Sequence, residues 1–167
     1  MKIFGIVGMS GSGKTELLVK LIPELTARGI SVSTIKHTHH NVEIDKPGKD
    51  SYRHRKSGAR QVMVASAGRW SLIRELRDDP EPTLDELIEK LEPVDLLLVE
   101  GFKRESHVKL EVFRHDHEQE LLAPTDEMIV AVAGDGPIDG LGVPLIDLND
   151  VAAIADFILD HSGLKKA

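Results

Sequence analysis

The feature that most constrains the fold of this chain is an eight-residue glycine-rich stretch near its N-terminus. It consists of Gly8, Met9, Ser10, Gly11, Ser12, Gly13, Lys14 and Thr15. This stretch fits the pattern G-x-x-x-x-G-K-[ST] without a mismatch. Residues 3–7 before it form an apolar run that is typical of a buried strand, and residues 15–28 after it carry apolar side chains at helical spacing. A strand, a glycine-rich loop and a helix in this order are the setting in which the pattern binds phosphate.

The residue types in this stretch suit the phosphates of a nucleotide. Its glycines let the backbone turn several N–H groups inward around a β-phosphate, and the N-terminus of the following helix adds a partial positive charge. We expect the Lys14 ammonium to bridge the β- and γ-phosphates and the Thr15 hydroxyl to bind Mg²⁺. The sequence therefore predicts a phosphate-binding P-loop over residues 8–15.

A second apolar run supplies a carboxylate for the metal ion. Four aliphatic residues, 96–99, are typical of a buried parallel strand, and Glu100 and Gly101 follow them. Ligands of open α/β sheets gather beyond the carboxyl ends of strands, so we expect Glu100, and not Asp95 at the other end, to reach the metal ion.

A third candidate is Asp50 in the basic segment 46–60. It either carries a switch-like carboxylate toward the metal ion or caps a short helix.

The rest of the chain alternates between strand-like and helix-like segments. Further strands are predicted over residues 30–36, 61–66, 94–99, 108–113, 128–133 and 144–146, and further helices over 51–56, 83–91 and 150–161. The alternation of residues 108–113 favours an antiparallel or edge strand, residues 68–76 fit a strand or a helix, and Pro23 is expected to kink or shorten the first helix. The order predicts one α/β domain over residues 1–167, with a mostly parallel, twisted sheet and helices on both faces.

Composition excludes several classes of protein. The chain is 41% hydrophobic and 29% charged, as globular proteins are, and it has no cysteine, which rules out disulfides, thiolate metal sites and cysteine nucleophiles. It has no apolar stretch of about 20 residues and no signal-like leader, so we expect a cytoplasmic protein without a membrane partner. Residues 78–167 hold 22 Asp and Glu against 7 Lys and Arg, which argues against nucleic-acid binding.

Two histidine clusters leave a metal role open. They are His37, His39 and His40 after the second predicted strand, and His115 and His117 on either side of Asp116. Imidazole and carboxylate groups can bind Zn²⁺ or Ni²⁺ without cysteine. The alternatives are a structural or phosphate-contacting role for the first cluster and a solvated loop for the second.

Five segments together resemble one known family. They are residues 8–15, Lys36-His37 with His39-His40, Pro47-Gly48-Lys49-Asp50-Ser51, Ser57-Gly58-Ala59, and Val99-Glu100-Gly101-Phe102-Lys103. In this order they are similar to the molybdopterin-guanine dinucleotide biosynthesis protein B (MobB) family, and the resemblance covers nearly the whole chain. The P-loop is generic, whereas the Lys-Asp-Ser and Glu-Gly-Phe-Lys segments are more specific.

The resemblance implies a P-loop GTPase-type (NTPase) fold, a homodimer, and weak binding and hydrolysis of GTP. It also implies service as an accessory of the partner nucleotidyltransferase that joins GMP to molybdopterin, with the molybdenum cofactor itself as a possible ligand. On that basis residues 8–15 bind the phosphates, Thr15 and Glu100 bind Mg²⁺, and Lys14, Glu100 and Asp50 are the catalytic candidates.

Two points stay open at this stage. The chain has no Asn-Lys-x-Asp motif for reading guanine, so the preference for GTP comes from the resemblance alone, and Asp135 and residues 148–150 are only candidates for that role. A nickel-insertion GTPase metallochaperone and a small ATP-dependent synthetase or kinase are the alternative functions, because both classes use the same loop.

Overall fold

Strands and helices alternate along residues 1–38, 42–115 and 120–164, which are the residues that this computed structural model describes. The elements are β1 (Lys2–Val7), α1 (Lys14–Ala27), β2 (Val32–Lys36), α2 (Asp50–Lys56), β3 (Gln61–Ala65), β4 (Trp70–Arg74), α3 (Leu84–Ile88), β5 (Leu96–Glu100), β6 (Lys109–Phe113), a 3-10 helix (Ala123–Thr125), β7 (Ile129–Gly134), β8 (Leu145–Asp147) and α4 (Val151–Ser162). No helix in these ranges is long and apolar enough to cross a membrane.

Six of the strands form one parallel sheet in the order β2-β5-β1-β6-β7-β8, as the predicted fold class requires. In this order β5 lies between β1 and β2. The register pairs Glu100, the last residue of β5, with Ile6 of β1 and with Lys36 of β2. The carboxyl ends of these three strands therefore meet at one edge of the sheet, which is also the edge where the chain leaves β1 for the glycine-rich loop.

The apolar core lies between this sheet and the helices α1 and α4. Leu21 and Leu25 of α1 and Ile154 and Ile158 of α4 are each 0% exposed. Burial of one such side chain stabilises a fold by roughly 1.5–3 kcal/mol. β5 is buried along its whole length, because strands flank it on both sides and the core covers it.

The position of β6 corrects one prediction. Its alternating polar and apolar residues favour an antiparallel or edge strand, but β6 is parallel and lies between β1 and β7. Leu110 and Val112 point into the core, while Lys109 and Glu111 are only 1% exposed on the other face of the sheet. The polar residues of the alternation are therefore buried, which hydropathy alone does not reveal.

Both buried side chains of β6 satisfy their polar groups, which is the condition for keeping such groups inside a protein. The Lys109 ammonium donates to the Asp126 carboxylate at 2.7 Å and to the Lys103 carbonyl at 3.1 Å. The Glu111 carboxylate accepts the backbone N–H groups of Leu122 and Ala123 at 2.9 and 2.8 Å. Burial nevertheless raises the pKa of Glu111 above its ordinary value.

The shortening of α1 considered at Pro23 does not occur, and the capping role considered for Asp50 is wrong. α1 continues through Pro23 to Ala27. The proline ring removes the hydrogen bond to the Val19 carbonyl, which is one bond of the helix, and the flanking turns continue. Asp50 does not cap α2: it is the first helical residue, and Lys49 holds the N-cap position without a side-chain hydrogen bond.

The chain divides into two compact units, residues 1–37 with 88–167, and residues 38–87. The parallel sheet belongs to the first unit. The second contains α2 and the antiparallel hairpin of β3 and β4, so the ambiguous segment 68–76 includes a strand. Within this unit Arg55 binds the carboxylates of Asp45 at 2.7 Å and Glu75 at 3.0 Å. The organisation as a single domain stays a prediction.

The ion pair between Lys109 of β6 and Asp126 yields a stability prediction. Lys109→Met should lower the free energy of unfolding by about 2–4 kcal/mol, because the substitution leaves the Asp126 carboxylate without its cation. Urea denaturation measures this change. The control is Lys2→Met on the adjacent strand β1, where the side chain is exposed and the effect should stay within about 0.5 kcal/mol. Equal effects of the two substitutions would contradict the structural role of the pair.

Candidate functional site

The glycine-rich loop adopts a backbone that side chains would obstruct. Gly8, Gly11 and Gly13 have φ values of 140°, 82° and 96°, in the region that favours glycine. A Cβ atom on Gly8 would overlap the Val112 carbonyl oxygen of β6 and lie 2.8 Å from the Ser12 hydroxyl. The loop is thus a closely packed cradle at the N-terminus of α1, which fits the predicted use of its glycines.

Lys14 folds back over this loop. Its ammonium donates to the carbonyl oxygens of Gly8 at 3.1 Å and Met9 at 2.7 Å. Burial lowers the pKa of Lys14 below its ordinary value, Glu100 raises it, and the nearby cations Lys103 and Lys36 lower it further. A cation that is partly buried among other cations gains stability when an anion enters, so the electrostatics of the loop favour phosphate.

The structure brings Thr15 and Glu100 together. The Thr15 hydroxyl donates to the Glu100 carboxylate at 2.9 Å, and Glu100 is only 7% exposed although it is charged. Asp95 lies before the first residue of β5, where its carboxylate accepts the Ser31 N–H at 2.9 Å and the Ser31 hydroxyl at 2.7 Å. Of the two carboxylates that flank the strand, only Glu100 contacts the loop.

A third side chain completes this contact, and the sequence analysis did not assign it a role. The Lys36 ammonium lies 3.0 Å from the Thr15 hydroxyl oxygen and 3.0 Å from a carboxylate oxygen of Glu100. The side chain of Lys36 is 54% exposed, against 9% for that of Glu100. The sequence signal that could have identified Lys36 is its place as a cation at the end of β2, since the carboxyl ends of parallel strands meet at the same edge of the sheet as Glu100.

A tight turn holds Glu100 in place. Gly101 has a φ of 92°, and a Cβ atom there would lie 3.1 Å from the carbonyl oxygen of His37. The Gly101 N–H donates to the Ile6 carbonyl at 3.1 Å, and the His37 N–H donates to the Glu100 carbonyl at 2.9 Å. The ring of His37 packs on that of Phe102 at 4.6 Å between centroids, which favours the structural alternative for this histidine.

Two more cations approach the loop, and the sequence analysis gave neither of them a role there. Arg114, directly after β6, donates to the Ser12 carbonyl at 3.2 Å and lies 3.7 Å from the carboxylate of Asp135. The Lys103 ammonium lies 3.3 Å from the Met9 sulfur. The strand order brings these distant parts of the chain to the loop, so the sequence does not show that they meet there.

Other candidates have contacts of a different kind. Asp50 lies in the 38–87 unit, where its largely exposed carboxylate is 3.8 Å from Arg53 of the same helix. His115 lies 2.9 Å from the Asp135 carboxylate and 3.0 Å from the Pro137 carbonyl. His39, His40, Asp116 and His117 lie outside the described residues. Within the described residues no three His, Asp or Glu side chains form a group that could hold a metal ion.

This arrangement fits a phosphate and a divalent cation. The glycine cradle and Lys14 supply donors and positive charge for an anion. The Thr15 hydroxyl and the Glu100 carboxylate supply oxygen ligands, which Mg²⁺ prefers, and phosphate oxygens commonly complete such a coordination shell. The donor set is therefore suited to a nucleotide with its metal ion.

Comparisons with known proteins show relatives that match most of the chain. The family model described as "Molybdopterin guanine dinucleotide synthesis protein B" matches residues 3–135. The molybdopterin-guanine dinucleotide biosynthesis adapter protein of Escherichia coli K12 is 48% identical over 162 residues, which cover 95% of this chain and 91% of that protein. Its counterpart from Haemophilus influenzae is 46% identical over 93% of this chain and 86% of that protein. A crystal structure of Bacillus subtilis MobB superposes with a TM-score of 0.78 at 25% identity, over 97% of this chain and 98% of that one.

Proposed function

The chain belongs to the MobB family, and from this premise we propose that it is a GTP-binding adapter protein in the cytoplasmic synthesis of molybdopterin-guanine dinucleotide. The observation that carries the proposal is the P-loop cradle with the Thr15 hydroxyl 2.9 Å from the Glu100 carboxylate. Its partner is the nucleotidyltransferase that joins GMP to molybdopterin, and the molybdenum cofactor is a candidate ligand. Relatives that carry the adapter name match this chain over most of its length.

We assign the parts of the nucleotide site as follows. Residues 8–15 bind the phosphates, with the Lys14 ammonium on the β- and γ-phosphates. Thr15 and Glu100 hold Mg²⁺, which would neutralise charge on the phosphates. Asp50 remains the third catalytic candidate, and its side chain is 88% exposed.

Hydrolysis of GTP by the isolated chain is proposed to be weak. Fast hydrolysis on a P-loop needs a group that orients water and usually an arginine that stabilises the transition state. Arg55 is engaged by Asp45 and Glu75, and Arg60 by Asp79 at 2.6 Å. Arg114 donates to the backbone of the loop itself. An adapter that holds GTP without rapid turnover is consistent with these contacts.

We propose a homodimer on the basis of the β3–β4 hairpin. Met63 pairs with Leu72 and Ala65 with Trp70, so these residues share one face. Met63, Leu72 and Trp70 are 62%, 47% and 63% exposed. Monomeric proteins rarely leave such apolar stripes in water. A second copy of the chain is a suitable occupant, because it presents the same stripe in a two-fold contact.

The first test is a nucleotide competition panel on the purified protein, with GTP, ATP, GDP and GMP, each with Mg²⁺ and with chelator. We expect GTP to compete best. Lys14→Ala should weaken GTP binding at least about tenfold, because charge-assisted hydrogen bonds to phosphate are lost. Lys20→Ala, at an exposed position of α1, is the matched control. A preference for ATP would favour the synthetase or kinase alternative, and wild-type affinity in Lys14→Ala would remove Lys14 from the site.

The second test separates the two carboxylates that flank β5. Glu100→Gln keeps the shape of the side chain but removes its charge, so we expect most of the Mg²⁺-dependent gain in GTP affinity to disappear while binding in chelator stays near normal. Asp95→Asn should leave the Mg²⁺ effect intact, because Asp95 contacts Ser31 rather than the loop. Calorimetric titration of GTP measures both. The reverse result would show that the metal ion is bound elsewhere.

The homodimer is tested by light scattering after size-exclusion chromatography. We expect a mass twice the 18.4 kDa of one chain. Leu72→Lys places a charge in the apolar stripe and should shift the protein to monomers, whereas Ser71→Lys, on the other face of the hairpin, should leave the dimer intact. A wild-type monomer, or a dimer that tolerates Leu72→Lys, would contradict the assignment.

A further inference from the structure

The position of Lys36 carries an inference that rests on the proposed metal role of Thr15 and Glu100. We propose that the Lys36 ammonium is a built-in competitor of the divalent cation, so that the P-loop holds either this ammonium or the metal ion between the two side chains. Lys36 would then keep the free protein from binding the metal ion and make metal binding depend on the nucleotide.

The Lys36 ammonium occupies the place between the two oxygens that a metal ion would need. The Lys36 nitrogen lies 3.0 Å from the Thr15 oxygen and 3.0 Å from the Glu100 oxygen, and these oxygens are 2.9 Å apart. The ammonium thus contacts the same two oxygens that would hold Mg²⁺, which needs ligands at about 2.0–2.1 Å. Two cations cannot share these two oxygens, because they would repel each other at close contact.

The register of the sheet places Lys36 beside Glu100. Lys36 and Glu100 are paired residues on the neighbouring parallel strands β2 and β5, so their side chains leave the same face of the sheet side by side. The backbone therefore places the two side chains next to each other, within reach of the contact that the Lys36 ammonium makes. Lys14 has a different position, because its ammonium is bound to the loop carbonyls.

Lys36 and Glu100 differ strongly in burial. The Glu100 side chain is 9% exposed and needs a counter-charge, since an unpaired buried carboxylate is costly. The Lys36 side chain is 54% exposed, and its flexible stem lets the ammonium move into water at little cost. Exchange is therefore one-sided: Lys36 can leave when a metal ion arrives, whereas Glu100 stays in place.

The consequence is a coupling between metal ion and nucleotide. A divalent cation that enters alone must displace an ammonium that already neutralises Glu100, so the net free energy of metal binding is small. A cation that arrives with phosphate oxygens makes additional bonds and can displace Lys36. In this scheme Lys36 is a positioning residue, because it acts through the ligands of the metal ion.

The experiment uses Mn²⁺ as the probe and the full chain without nucleotide, with binding followed by electron paramagnetic resonance. Lys36→Met should raise the affinity for Mn²⁺ about tenfold over wild type, as loss of one charge-assisted contact implies. Lys36→Arg keeps a cation and should behave as wild type does, as should Lys20→Met on the exposed surface of α1. Unchanged affinity in Lys36→Met, or an equal gain in Lys20→Met, would overturn the proposal.

Thermal unfolding gives a second readout. In chelator, Lys36→Met should melt below wild type because Glu100 loses its counter-charge, and Mn²⁺ should restore the melting temperature. Lys36→Gln, with a polar neutral side chain, repeats the test should the methionine variant fold poorly. In Lys36→Met with Glu100→Gln, the gain in Mn²⁺ affinity should vanish, and its persistence would overturn the proposal. Because no nucleotide is present, these results do not depend on whether GTP is the ligand.

Discussion

The buried carboxylate of Glu100 is the point at which three parts of the parallel-sheet unit meet. It accepts a hydrogen bond from Thr15, at the start of α1, and it lies beside the ammonium of Lys36, at the end of β2. A carboxylate that is 7% exposed must be compensated by charge or hydrogen bonds. The packing of β5 between β1 and β2 therefore brings Glu100 and Lys36 to the start of α1, beside the phosphate-binding loop.

The face of the sheet opposite α1 and α4 supports the site from behind. Gly5 leaves room for His107, because a Cβ atom there would lie 2.5 Å from the imidazole. Next to this histidine, the Lys109 ammonium holds the carbonyl of Lys103, whose own ammonium lies near Met9 of the loop. Burial lowers the pKa of His107 below its ordinary value, so the imidazole tends to stay neutral beside a buried cation. A small residue on β1 thus makes space for a polar layer that anchors the chain after Glu100.

The sequence predicts the features of this molecule that depend on residues adjacent in the chain, and it does not predict those that depend on contacts made by the fold. The loop of residues 8–15 and the strand that ends at Glu100 are short, contiguous patterns, and the structure has both. The neighbours of β6 could not be predicted in the same way, because Lys109 and Glu111 are charged residues that become buried and paired through contacts with the segment between β6 and β7. Lys36 escaped assignment for a related reason: its partner depends on the register between β2 and β5, which are far apart in the chain.

The insertion of β5 between β1 and β2 also sets an order of events during synthesis. The segments that form β1, α1 and β2 have been synthesised once the chain reaches Lys36. The strand that lies between β1 and β2 in the sheet is β5, and its synthesis ends only at Glu100. At a translation rate of about 5–20 residues per second, this interval lasts about 3–13 s. During that time β2 has no strand partner within the parallel sheet, and the carboxylate that both Thr15 and Lys36 require has not been made. A ribosome that stalls before β5 would therefore hold a chain with a finished glycine-rich sequence but without the charge around which its site assembles.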